Sequence, residues 1–475
     1  MRTAPNGKET LITHSARIHD PALRNEFIRY TSLSIIGILG VSCYILADTW
    51  FIAAGLGTTG LAALNLAIPV YSFLCGIGMM LGMGGSTQYT LAGARDQTEK
   101  KDRIWTDTIL LGLALSVPFV LFGAFGADAV ATWLGADAQT LADTATYLRW
   151  LMLFAPAFLF NYILQAFMRN DGSPHLATWA QLAGSFLNIV LDWFFIFPCH
   201  MGMFGAILAT VLSPVTGILV MLPHFWSKRN TLHFTKGLPD SHVMRQDISL
   251  GFPSFVTQVS AGIVMIVLNT IFLKLAGNTG VAAYGVIANV ACVTTAVFNG
   301  VAQGMQPLTS AACAAHDRTR EHLCLHYAIV TTLVFSALVC LVTWVWPGPI
   351  ASVFNSEQDP VLQAIAVQGL ELYFLSTPFA GICIILSTWF ASVHAPKPGQ
   401  VMSLARGFVL VIPLAYGMAA LFSTAGAWLA VPVAEALTAL LGWVLYRRYL
   451  RSAESGNPGI SWQMPQEKGN HSSVI

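Results

Sequence analysis

The stretch TSLSIIGILGVSCYILADTWFIAA (residues 31–54) carries a single charge, Asp48. As a helix it rises ~1.5 Å per residue and is long enough to cross the ~30 Å hydrocarbon core of a bilayer. It is one of twelve such runs. The others lie near 61–86, 105–126, 146–168, 175–197, 203–226, 248–273, 281–311, 325–347, 364–393, 398–421 and 424–446. None shows the short alternation of apolar and polar residues that an outer-membrane barrel requires. Turn residues separate them, such as Gly57-Thr58-Thr59-Gly60 and Asn170-Asp171-Gly172-Ser173-Pro174.

Composition agrees. Of 475 residues, 55% are hydrophobic and 10% charged, against about 25% charged in a soluble domain. Too few charges exist to cover soluble domains, and no basic stripe offers a nucleic-acid surface. The expected fold is therefore an all-α polytopic membrane protein of twelve transmembrane helices. The eight cysteines form no C-x-x-C pair, and the reading is of small buried hydrophobes rather than disulfides or metal ligands. Residues 1–30 show no cleavable signal peptide.

Lys and Arg fix the orientation. Starting from a cytoplasmic N-terminus, the inside segments hold 21 of the 24 basic residues, and the outside loops hold only Lys274. Arg149 and Arg406 lie within spans. Both termini are thus expected in the cytoplasm.

The chain also repeats itself. Asp48-Thr49-Trp50-Phe51 is answered by Asn269-Thr270-Ile271-Phe272, Thr59-Gly60 by Thr279-Gly280, Pro156 by Pro378, and Gly205-Ala206 by Gly426-Ala427. The interval between partners stays nearly constant along the chain, which marks a duplicated unit. Six spans per unit give parallel topology and two pseudo-symmetric six-helix lobes. The divisions are 1–30 as N-terminal tail, 31–226 as first lobe, 227–247 as linker, 248–447 as second lobe and 448–475 as C-terminal tail. Two lobes around a cleft suit a carrier that rocks between two access states. No phosphate-binding G-x-x-x-x-G-K-[ST] loop is present, so transport is expected to draw on an ion gradient.

Charges inside a bilayer are costly and point to function. Asp48 lies as far into the first span, counted from Thr31, as Asp192 lies into the fifth, counted from His175. Both spans start on the same side, so both acids reach ~25 Å from the cytoplasmic edge. Thr210 arrives at a similar depth, and Asn188 lies one helical turn below Asp192. Two carboxyls, an amide and a hydroxyl at one level form an all-oxygen site for Na⁺ or for a shared proton. The mirror of Asp48 is Asn269, so this chemistry belongs to the first lobe alone. Glu371, counterpart of Arg149, reads as an interfacial or gate residue. Arg406 and Glu435 are placed to form an ion pair in the second lobe, with Glu435 a second-tier candidate for a cationic substrate. Met79, Met80 and Met83 suit a surface that adapts to varied ligands.

The elements Ala47-Asp48-Thr49-Trp50-Phe51, Arg169-Asn170-Asp171-Gly172-Ser173-Pro174 and Asn188-Ile189-Val190-Leu191-Asp192 resemble the multidrug and toxic compound extrusion (MATE) transporters. The likeness is to the branch that includes the DNA-damage-inducible and staphylococcal multidrug exporters. It covers about residues 25 to 450. The resemblance implies a cation site of Asp48, Asn188, Asp192, Thr210 and the backbone carbonyl of Ala206, with Asn161 as a further polar member. It departs at two places. Some relatives bend the first span at a proline, where this span has Gly37 and Gly40. Another branch places acids in the seventh and tenth spans, where this chain has only Glu371.

The expectation is a secondary transporter, not an enzyme. It would be an H⁺- or Na⁺-coupled antiporter of amphipathic organic cations, monomeric in the bacterial inner membrane, without a resident cofactor or nucleic-acid partner. A lipid-linked oligosaccharide flippase is the alternative. An intramembrane aspartyl protease is a distant one, lacking its G-x-G-D element.

Overall fold

A computed structural model describes residues 20–454 except 95, 229 and 356–358. Most of both expected tails, and Arg95 of the first basic loop, lie outside the described residues. Among the described residues there is no strand.

Among the same residues twelve spans follow one another. We label them α1 (Pro21–Gly57), α2 (Thr59–Ala94), α3 (Thr98–Phe125), α4 (Leu141–Leu153 and Ala155–Asn170, bent by 50°), α5 (Pro174–Ile196) and α6 (Gly202–Trp226). A 74-residue helical run, Ser241–Ala314, breaks at Ala276 and Gly277 into α7 and α8. Next come α9 (Arg318–Val345) and α10 (Pro360–Ser392). The last run, 396–454, breaks at Ser423 into α11 and α12. The protein is thus a multi-pass, two-lobed membrane protein of twelve helices. α1 begins at Pro21, well before its apolar run, because Leu23 and Phe27 bury a helical face against the second lobe. Ring contact between Phe27 and Tyr327 (5.7 Å) continues that packing.

The duplication is written into the backbone. Eight of the left-handed residues form four pairs: Gly57 with Gly277, Asp96 with His316, Gly172 with His394, and Gly202 with Ser423. The members of each pair are separated by nearly the same stretch of sequence and sit at the same inter-helix turn of their halves. Gly57 (φ 71°, ψ −159°) and Gly277 (φ 62°, ψ −151°) occupy a region essentially reserved for glycine. Pro156 and Pro378 also correspond, each opening the helical segment after the break in its span.

Each lobe has its own core. The buried members of one apolar cluster run from Ile52 to Val243. Two others lie in the second half, joined by Leu23 and Phe27 of α1. The cysteines depart from expectation: Cys75, Cys324 and Cys383 are buried, whereas Cys43, Cys199 and Cys292 are exposed on helix surfaces or at a helix end. A thiol is apolar enough to face lipid as readily as a core. None of the eight is in a disulfide among the described residues.

Glycines set how closely helices approach. Gly37 and Gly40 do not bend α1, which keeps helical dihedrals up to Gly57. They leave room for Gln181 and Leu182 of α5 instead, the small-residue packing common between membrane helices. On the side carrying the chain ends the lobes meet at two crossings. Gly84 of α2 lies against the backbone of Asp247, and Gly251 of α7 against that of Met80. Gly300 and Gly304 of α8 pack likewise on Ile35 and Thr31 of α1. Polar ties reinforce the seal. Gln306 Nε2 donates to Thr87 Oγ1 (2.8 Å), Asn170 Nδ2 donates to Gln306 Oε1 (2.9 Å), and Arg320 pairs with Asp20 (3.0 Å).

The repeated turns make an asymmetric prediction. Ser423 holds φ 54° and ψ −134°, where its counterpart is a glycine. Strain of this kind costs ~1–3 kcal/mol. Ser423→Gly is expected to raise the melting temperature of the detergent-solubilised protein, and Gly277→Ala to lower it. Thermal unfolding of the two variants beside the parent checks both signs.

Candidate functional site

The first lobe brings together the residues that depth arithmetic placed at one level. Asp48 of α1 is 7% exposed, and Asn188 and Asp192 of α5 are fully buried. The carboxyls of Asp48 and Asp192 face each other within interaction distance. Thr210 of α6 is buried, and its hydroxyl donates to Ala206 O at 3.1 Å. The sequence places the acids here through helical geometry: Asn188 and Asp192 share a face, and Gly37 and Gly40 let α1 lie close on α5.

Several buried polar atoms of this group are left over. Among the described residues, Asp48 Oδ1, both oxygens of Asp192 and both polar atoms of Asn188 have no hydrogen-bond partner. Buried polar atoms are nearly always satisfied, so a cluster of unsatisfied ones marks a place for a ligand, ion or water. A proton or a small hard cation fits this set of oxygens.

Tyrosines complete the surroundings, and sequence reasoning missed them. Tyr147 of α4 stands beside Thr210 and both carboxyls. Tyr44, one turn below Asp48 on α1, bonds hydroxyl to hydroxyl with Tyr71 of α2 at 2.7 Å. The i, i+4 relation of Tyr44 to Asp48 was a usable signal. Tyr147 had none, because only the bent α4 carries it inward.

Beneath the tyrosines a polar cavity opens within the lobe, lined by Tyr44, Tyr71, Asn161, Tyr162, Gln165 and Gln181. Asn161 therefore lines this cavity rather than the acid pair. Asn161 Oδ1 and Gln181 Oε1 lack partners among the described residues. A second cavity lies between the lobes. Met79 and Met83 face it together with Thr257, Asn299, Gln303 and Thr388. Met80 is buried, its backbone against Gly251.

The remaining candidates stand apart from the acid pair. Arg406 Nε donates to Glu435 Oε1 at 2.6 Å, both largely buried. Arg406 sits in a π-helical turn, Ala405–Val409, the kind of local bulge that often re-aims a functional side chain. By the interval that relates Asp48 to Asn269, Arg406 and Glu435 correspond to Ser185 and Pro214, which line the cavity of the first lobe. What is open space in one lobe is an ion pair in the other. Glu371 is exposed, and its carbonyl accepts from Trp344 Nε1 at 2.9 Å. Arg149 pairs with Asp128 at 3.0 Å rather than with Glu371.

Comparison with known proteins follows this architecture. The MatE family pattern matches residues 34–194 and again 253–417, once in each half. The multidrug export protein MepA of Staphylococcus saprophyticus is 27% identical over 414 residues, 86% of this chain and 90% of that protein. MepA of Staphylococcus aureus is 27% identical over 415 residues, with the same coverage. Among solved structures, a MOP superfamily transporter from Pyrococcus furiosus superposes with TM-score 0.84 at 24% identity, covering 91% of this chain and 97% of that one. An outward-facing multidrug resistance MATE family transporter of the same superfamily superposes with TM-score 0.83 at 23% identity and the same coverage. With a family pattern spanning both six-helix halves, this chain belongs to the MatE family of membrane transporters.

Proposed function

We propose that this protein is a cation-coupled antiporter that exports amphipathic organic cations from the cytoplasm. The observation that carries the reading is the buried, facing pair Asp48 and Asp192, with Asp48 Oδ1, both Asp192 oxygens and the Asn188 amide unpartnered among the described residues. Two carboxylates this close cannot both stay charged in a dry site. A proton or a Na⁺ ion entering between them resolves the repulsion, with Asn188, Thr210 and the Ala206 carbonyl as further oxygen ligands. The multidrug export names of the staphylococcal relatives support the substrate class.

Coupling follows from differential affinity. The cation favours one lobe arrangement and the drug the other, so binding of either shifts the lobes away from the arrangement that holds the other. The cavity between the lobes suits a polyspecific substrate, because thioethers and neutral amides adapt to many shapes. Gln303 Oε1 there is buried without a partner among the described residues. The excess of Lys and Arg on the side of the chain ends supports cytoplasmic termini, and the staphylococcal relatives support a bacterial plasma membrane. Arg149 and Arg406 are each paired with an acid. Neither offers the free positive charge that a pyrophosphate-linked lipid would need, and the buried Arg169, beside Gln165, lines neither cavity, so the flippase reading gains no support.

In membrane vesicles, Asp48→Asn and Asp192→Asn are each expected to slow ethidium efflux about 5- to 150-fold, the span of typical coupling free energies. Efflux at the parental rate in both variants would remove cation coupling from the reading and leave the fold untouched.

Reconstituted proteoliposomes with pH and Na⁺ gradients imposed separately identify the ion. One gradient alone is expected to drive substrate movement, and Asp192→Asn to abolish that response. Movement under neither gradient would refute antiport.

A further inference from the structure

Asp247 lies in the stretch that the sequence assigns to the linker, yet the structure buries it completely. It sits in the first turns of α7, where Gly84 of α2 presses on its backbone. Its carboxyl is shared with the opposite lobe. Gln88 Nε2 of α2 donates to Asp247 Oδ1 and to Val243 O (3.2 Å). Asp247 Oδ2 lies 2.7 Å from Thr108 Oγ1 of α3.

A count of protons is informative here. The Thr108 hydroxyl has one proton but stands 2.7 Å from two acceptors, Ile104 O and Asp247 Oδ2. With a proton on Asp247, each of these contacts has a proton of its own. The acid donates to Thr108 Oγ1, Thr108 donates to Ile104 O, and the two amide protons of Gln88 go to Asp247 Oδ1 and Val243 O. Among the described residues no basic group pairs with Asp247. On α3, Asp107 is its acidic neighbour, and Arg103 is spent on Asp107 (3.8 Å) and Leu238 O (2.5 Å). Asp240, from the cap of α7, donates its N–H to Asp107. His242 and Arg245 of the same helix are exposed. An unpaired carboxylate buried among these groups would be costly.

We propose that Asp247 is a proton-operated latch on the cytoplasmic gate. Protonated, it ties α7 to α2 and α3 and holds the lobes shut on that side. When the gate parts, water reaches the carboxyl, the proton leaves to the cytoplasm and the anion resists reburial. On closing, the proton is taken back from the same side. The cycle therefore moves no net charge across the membrane through Asp247. It sets the balance between the two access states according to cytoplasmic pH. The inference uses the orientation with cytoplasmic termini but neither the identity of the coupling ion nor that of the exported compound.

The test places a reporter thiol inside the closed gate. Ser86, fully buried on α2, is changed to cysteine in the otherwise intact protein. Its labelling by a membrane-impermeant maleimide from the cytoplasmic side is read peptide by peptide. The same measurement in Ser86→Cys with Asp247→Asn provides a ratio that cancels the thiol's own pH dependence. The amide mimics the neutral acid, so the gate should stay shut at every pH. The ratio of parent to variant is expected to rise about fivefold or more between about pH 6 and pH 8, above the ordinary carboxyl range, where the closed gate holds the proton and the open one releases it. A flat ratio overturns the latch. Should Asp247→Asn not reach the membrane, Thr108→Val keeps the carboxyl and removes the acceptor of its proton. The rise should then move to lower pH, and an unmoved profile overturns the proposal. Labelling needs no drug and no gradient, so its failure is separable from failure of the export reading.

Discussion

A carboxylate taken out of water costs several kcal/mol unless a partner charge, a proton or a metal ion compensates it. Much of this molecule is arranged around that constraint. Glu435 meets it with Arg406. Asp48 and Asp192 face each other without a basic partner among the described residues, and on the proposed reading a cation completes their site. Asp247, on the latch proposal, meets it with a proton held between its carboxyl and Thr108 of the opposite lobe. The three solutions differ in what they leave open. The ion pair carries its own countercharge, although Glu435 Oε2 has no partner among the described residues, the facing pair on the proposed reading takes up a cation, and the bonded acid depends on the lobes staying together.

The sequence displays the fold well because the bilayer permits little else. Long apolar runs have to be helices when their backbone groups can bond only within the segment, and the internal echo divides them into two sets of six. Depth can be read as well, since helical rise converts residue number directly into distance. That is why Asp48, Asp192, Asn188 and Thr210 are legible without coordinates. Lateral position is harder. Nothing in a linear count shows that the bend in α4 swings Tyr147 toward Thr210. Nor does it show that Asp247, a polar residue in a polar stretch, is swallowed by a crossing of α2 and α7. Both depend on tertiary contact between segments far apart in sequence.

Gly37 and Gly40 show the same limit in another form. Read along the chain, they stand in a first span that lacks the proline at which some relatives bend. In three dimensions they are packing devices, holding α1 against Gln181 and Leu182 and so keeping Asp48 within reach of Asp192. A glycine in a membrane helix is ambiguous between a hinge and a seat for a neighbour. Only the helix beside it decides.

The ion pair in the second lobe also has an electrical meaning. Arg406 and Glu435 cancel, so that lobe carries no net charge in its buried interior at their level. A membrane potential does work of ~2.3 kcal/mol per elementary charge per 100 mV only on charge that moves across it. As a neutral pair moves within the field it contributes almost nothing to that work. If transport is coupled as proposed, its response to voltage lies in the lobe with the unpaired carboxyls, and the two repeated halves become electrically unlike. Filling one lobe's cavity with a salt bridge turns a symmetric machine into one with a single electrical arm.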